Sequence, residues 1–104
     1  MIIQLNTYKN LAGTEKLSAY LNSFISAELS RFSHQITMVE VHLSDENGPK
    51  EGQNDKRCLI EARLEGMKPI AVTNNANTHE QAVEGAVEKL KTTLETILGR
   101  LRNH

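Results

Sequence analysis

The sequence predicts an α+β domain in the order β-α-β-β-β-α, a four-stranded sheet with two helices packed on one face. Three observations carry that reading. Short stretches of period-two alternation occur at four places, and apolar residues recur at three- and four-residue spacing in two longer ones. Each helical stretch has a single apolar stripe, so both helices need the same sheet face to bury it. The length of 104 residues suits one core, so a single domain is expected over 1–104, without internal repeats.

The opening segment alternates, with Ile3, Leu5 and Thr7 on one side and Ile2, Gln4 and Asn6 on the other, which reads as a strand. Asn10 to Gly13 is the expected turn. Thr14 suits a helix N-cap, and Glu15 places a carboxylate where the helix dipole favours it. Leu17, Tyr20, Leu21, Phe24, Ile25, Leu29 and Phe32 then form one amphipathic stripe, ended by Ser33-His34-Gln35. The stripe assigns Tyr20, Phe24 and Phe32 to the core, so no exposed aromatic platform for single-stranded RNA is expected from them. The outer face of this helix is mostly neutral: Ser18, Asn22, Ser23, Ser26 and Ser30.

Ile36 to Leu43 alternates again, with Val39, Val41 and Leu43 opposite Met38, Glu40 and His42. Ser44 to Lys56 has no apolar side chain, so it has no burial to set against the entropy of ordering. A flexible hairpin loop is expected over 44–56. Arg57 to Glu65 is the third strand, with Cys58, Ile60, Ala62 and Leu64 inward. Gly66 to Pro69 makes a tight connection, and Pro69, which has no N–H to donate, opens the fourth strand at Ile70 to Ala76. Thr78-His79-Glu80-Gln81 fits a capping box. Val83, Val87, Leu90, Leu94, Ile97 and Leu101 give the last helix its stripe. Gly85 within it suggests a close approach of helix to sheet.

Composition bounds the function. Twelve Lys and Arg against thirteen Asp and Glu leave a formal charge of −1, unlike a general polyanion binder. Any nucleic-acid surface is therefore a local patch. Cys58 is the single cysteine, so the chain has no internal disulfide and no cysteine metal cage. Met1 to Asn6 show no basic leader, and no apolar run approaches a membrane span, so a cytoplasmic protein without membrane contact is expected.

No catalytic constellation assembles. Cys58 stands at an inward strand position without a basic neighbour, as a structural cysteine does. Glu40 and His42 share a strand face but lack a third metal ligand. His34 and His79 fall at helix ends, and no glycine loop leads into a helix. The expectation is no enzyme, no metal and no cofactor.

The order contains the α-β-β-β-α of double-stranded-RNA-binding domains, making the fold class similar to theirs. Those domains carry lysines at the start of their last helix. Here the same place reads His79-Glu80-Gln81-Ala82-Val83-Glu84, whose acids repel phosphate. Bases gather later, at Lys89, Lys91, Arg100 and Arg102. Acids early and bases late also complement the helix dipole, which is the plainer reading of that distribution.

The strand order, the helix start at Thr14-Glu15-Lys16-Leu17 and the run Ala82-Val83-Glu84-Gly85-Ala86-Val87-Glu88-Lys89-Leu90 resemble the ribosome hibernation-promoting factor, or sigma-54 modulation, family. Ala82, Gly85, Lys89 and Leu90 match its last-helix motif, and Arg100, Leu101 and Arg102 its basic tail. The resemblance implies a short-form translation inhibitor. Such a protein sits in the small-subunit channel for messenger and transfer RNA and contacts ribosomal RNA through basic residues. Lys89, Lys91, Arg100 and Arg102 are the expected RNA contacts, with Lys16 and Arg31 as helper charges. The chain departs from the family pattern in the serines and asparagine outside its first helix and at Thr96-Ile97-Leu98. The alternative is a divergent member acting as a protein–protein interaction domain without RNA. Bases forming one groove between the helices favour the first reading, and interruption by Glu84, Glu88 and Glu95 favours the second. The outer sheet face, with Met38 and Leu59, is a candidate homodimer surface.

Overall fold

The computed structural model describes residues 1–7, 14–45 and 55–102, and for Thr7, Thr14 and Arg100 to Arg102 it describes the backbone alone. Four strands, β1 (Ile2–Thr7), β2 (Ile36–Asp45), β3 (Lys56–Leu64) and β4 (Ile70–Ala76), form one sheet in the order β1-β2-β3-β4. Strands β1 and β2 are parallel, in the register Ile3↔Val39 and Leu5↔Val41. Strands β2, β3 and β4 form the expected antiparallel meander. Helix α1 (Thr14–Glu28) supplies the crossover that a parallel pair requires, and helix α2 (His79–Arg102) follows β4.

Alternation sets which side chains meet. Val39, Val41 and Leu43 of β2 and Cys58, Ile60 and Ala62 of β3 are fully buried. They lie beneath Leu21, Ile25 and Leu29 from the first helical segment and Val83, Val87, Leu90 and Leu94 from α2. Fully burying a leucine or isoleucine contributes roughly 1.5–3 kcal/mol, so these central positions dominate the packing energy. Ala82 and Ala86 are also fully buried, where small side chains bring α2 close to the sheet.

Helix α1 is shorter than its apolar stripe. It ends at Glu28, and Ser30–Phe32 is a 3-10 turn closed by Phe32 N–H to Leu29 O and Ser33 N–H to Ser30 O. The three-residue step from Leu29 to Phe32 suits three residues per turn, so tightening the chain keeps both side chains in the core. Tyr20 departs from expectation in the other direction. It is 49% exposed, because it stands at the margin of the stripe while Leu21 and Ile25 hold its centre.

The strands also run further than expected. Ser44 pairs with Arg57 and Asp45 with Lys56, so both ends of the 44–56 segment belong to the ladder. Charge pairing replaces apolar burial there: Lys56 Nζ lies 2.8 Å from Asp45 and 3.1 Å from Asp55, which is only 4% exposed. The centre of that segment, 46–54, and the Asn10–Gly13 turn lie outside the described residues. Gly66 takes φ +75° in the β3–β4 connection, where a side chain would be strained.

Candidate nucleic-acid interface

Strand β4 runs parallel to β2, and therefore to β1, so α1 and α2 leave the same end of the sheet and descend in the same direction. That geometry brings together charges far apart in sequence. Lys91 Nζ donates to Glu28 Oε1 at 3.1 Å and lies 3.6 Å from Glu88 Oε1. The hydrogen bond to Glu28 holds the Lys91 ammonium above the ordinary lysine range. Arg31 bonds Glu95 of α2, and its guanidinium lies 4.6 Å from the centre of the Phe32 ring.

Two of the six expected contact residues are thus held by carboxylates across the helix pair. Lys89 points to the other flank of α2, where its Nζ donates to the main-chain carbonyl of Thr73 at 2.8 Å. Lys16 is exposed on α1 and has no ion-pair partner among the described residues. Arg100 and Arg102 lie in the last turns of α2. The described bases therefore do not form one continuous groove between the helices: Glu88 and Glu95 interrupt them, together with Glu28.

Sequence reasoning missed these cross-helix pairs, and the signal was faint. Glu28 and Arg31 stand three apart on one side, Lys91 and Glu95 four apart on the other, and only the topology reveals that they face each other. It also missed Asn74. The Asn74 side chain reaches from β4 to α2, donating to Ala82 O at 3.2 Å and Gln81 O at 3.4 Å. A methyl group at Gly85 would fall 2.1 Å from Asn74 Nδ2, so the glycine makes room for this clamp. Half of the expected capping box on α2 is formed: the Gln81 amide donates to Thr78 Oγ1 at 3.1 Å, without a return bond from the Gln81 side chain among the described residues.

The remaining titratable groups have structural roles. Cys58 is fully buried, and burial pushes its thiol up to about 12. Glu40 and Glu61 oppose each other across β2 and β3, and Arg63 relieves their repulsion at 3.7 and 3.4 Å. His42 lies 3.5 Å from Glu40 in the same cluster. Among the described residues no three His, Cys, Asp or Glu side chains are grouped to hold a metal. Among the described residues, too, no helix is long and apolar enough to cross a membrane.

The sequence matches the family model described as sigma 54 modulation protein / S30EA ribosomal protein over residues 6–102. The chain belongs to this family. The S30EA fold is shared by the N-terminal domain of Thermus thermophilus Protein Y at a TM-score of 0.72 and 25% identity. That likeness covers 93% of this chain and 99% of that one. A ribosomal subunit interface protein from Coxiella burnetii has the same fold, with a TM-score of 0.71 and 16% identity over 95% and 99% of the two chains. No curated protein matches the sequence. Family and fold are those that the strand order and the motif Ala82-Val83-Glu84-Gly85 led one to expect.

Proposed function

We propose that this S30EA-family chain binds the small ribosomal subunit at its interface side and holds idle ribosomes out of translation. The observation that carries the reading is the family match across nearly the whole chain, supported by the fold shared with a Protein Y domain and a subunit interface protein. Ribosomal RNA is the proposed contact. Lys16, Lys89, Arg100 and Arg102 supply its positive charge, while Lys91 and Arg31 are available only by exchanging Glu28 and Glu95 for phosphate. The Arg31–Glu95 pair is exposed and worth at most about 1 kcal/mol, so that exchange costs little. Lys91, by contrast, is partly covered and shared between Glu28 and Glu88.

Co-sedimentation of the purified protein with small subunits across a salt series tests this. Saturable binding that weakens with salt is expected. Replacing Lys89, Arg100 and Arg102 by Ala should lower the salt slope by roughly two to three units, about 0.7–0.9 for each lost phosphate contact.

A second reading has a specific observation behind it. The carboxylates of Glu28, Glu88 and Glu95 occupy the bases between the helices, as in a domain that meets a protein rather than RNA. Absence of subunit binding at low salt would select it. The outer sheet face is the proposed surface for a second copy, although its charged residues pair within the chain. Sedimentation velocity of the free protein reads that directly.

A further inference from the structure

The aromatic pair on α1 carries an inference that rests on the ribosomal reading and names what the helix receives. Tyr20 keeps about half of its surface in water, at 49% exposure, although a tyrosine is largely apolar. Its ring has one aromatic neighbour. Phe24, one turn later and partly buried against the core, lies nearly parallel to it, with centroids 6.3 Å apart and planes 14° apart. Phe24 thus lies beside Tyr20 in an offset, nearly parallel arrangement, and contact with it narrows the freedom that the exposed ring has left to lose.

The charge one turn before the ring is the Lys16 ammonium, with the Glu15 carboxylate next to it at the helix start. Lys16 lies one turn before Tyr20, on the same flank at i,i+4 spacing, and it has no ion-pair partner among the described residues. From Lys16 to Ala27 the helix contains no carboxylate. Glu28, one turn beyond Phe24, is taken up by Lys91. A flat apolar ring next to an exposed ammonium matches a nucleotide, which offers a flat base and a phosphate together. A partner's arginine would also stack on the ring, but Lys16 would repel it.

We propose that Tyr20, beside Phe24 and flanked by Lys16, stacks on an unpaired base of single-stranded RNA. Duplex RNA hides its base faces, so the ring selects a loop, bulge or end. Stacking depends little on salt. It therefore supplies affinity that a chain with a formal charge of −1 does not obtain from phosphate contacts alone.

The protein has two tyrosines and no tryptophan, so a Tyr8→Phe variant makes Tyr20 the only strong intrinsic fluorophore. That variant is titrated with an eight-nucleotide oligoadenylate and with an abasic ribose-phosphate strand of equal length. The oligoadenylate should quench Tyr20 emission saturably, and the abasic strand should not. In parallel, anisotropy of labelled oligoadenylate should show Tyr20→Ala binding about tenfold more weakly, the loss expected for one base stack, with an unchanged salt slope. Tyr20→Phe should restore the affinity, since it keeps the ring. Circular dichroism of each variant confirms that α1 is intact.

Absence of quenching, absence of oligoadenylate binding, or equal affinity for Tyr20→Ala overturns the proposal. If small subunits still co-sediment with the protein in any of those cases, the ribosomal reading survives without the stack. If they do not, that reading falls as well. A Tyr20→Ala variant that loses subunit binding but keeps its oligoadenylate affinity places the ring against a ribosomal protein, and also overturns the proposal.

Discussion

A methyl group added at Gly85 would lie 2.1 Å from Asn74 Nδ2 and 2.6 Å from its Cγ, so Asn74 would have to leave the carbonyls of Gln81 and Ala82. The expected cost exceeds the helix-propensity gain of about 1 kcal/mol from Gly to Ala. We expect Gly85→Ala to destabilise the protein by about 1 kcal/mol in urea unfolding, and to become stabilising in an Asn74→Ala background. Gly99 is the control. Nothing stands within 4 Å of its would-be Cβ, so Gly99→Ala should raise stability by up to about 1 kcal/mol. The sequence suggested that Gly85 allows close approach but gave no hint of Asn74, because a polar residue on a strand carries no sign of the helix above it. Cys58 makes a second expectation. Buried, with its thiol pushed up to about 12, it should react with a thiol reagent at pH 8 only when the protein is unfolded.

At the scale of elements, hydrophobic periodicity located each strand and α-helix among the described residues, and its failures are local. The stripe from Leu17 to Phe32 concealed a change from α-helix to a 3-10 turn, since a three-residue step fits both. The same stripe drew Tyr20 inward, although only its centre is buried. At the other end of the sheet, Asp45, Asp55 and Lys56 extend the ladder into a segment that hydropathy alone reads as loop. His79 begins α2 near these charges, with a buried Nδ1 that has no partner among the described residues. Burial, reinforced by Lys56, holds His79 below the ordinary histidine range. The unfolded chain therefore binds a proton more readily than the folded one. His79 favours the folded state fully above about pH 6.5, and that contribution fades as pH falls towards its lowered folded value. Urea midpoints at pH 7.5 and 5.5 should differ less for His79→Gln than for the parent protein. An equal difference would assign the pH response to other groups.

For the whole molecule, the order β-α-β-β-β-α and the last-helix motif were enough to point to the family. The surface was not legible in the same way. Whether a base is available to RNA depends on what faces it, and the parallel descent of α1 and α2 decides that Lys91 and Arg31 face Glu28 and Glu95. Hydrophobic patterning fixes which side of an element is buried but says little about which neighbour lies beside it. The central claim is that the chain binds the small ribosomal subunit, and co-sedimentation with purified subunits from low to high salt tests it most directly. The account predicts saturable, salt-weakened binding, with a slope reduced by replacing Lys89, Arg100 and Arg102. No association at the lowest salt would contradict it and leave a ribosomal fold turned to a protein partner.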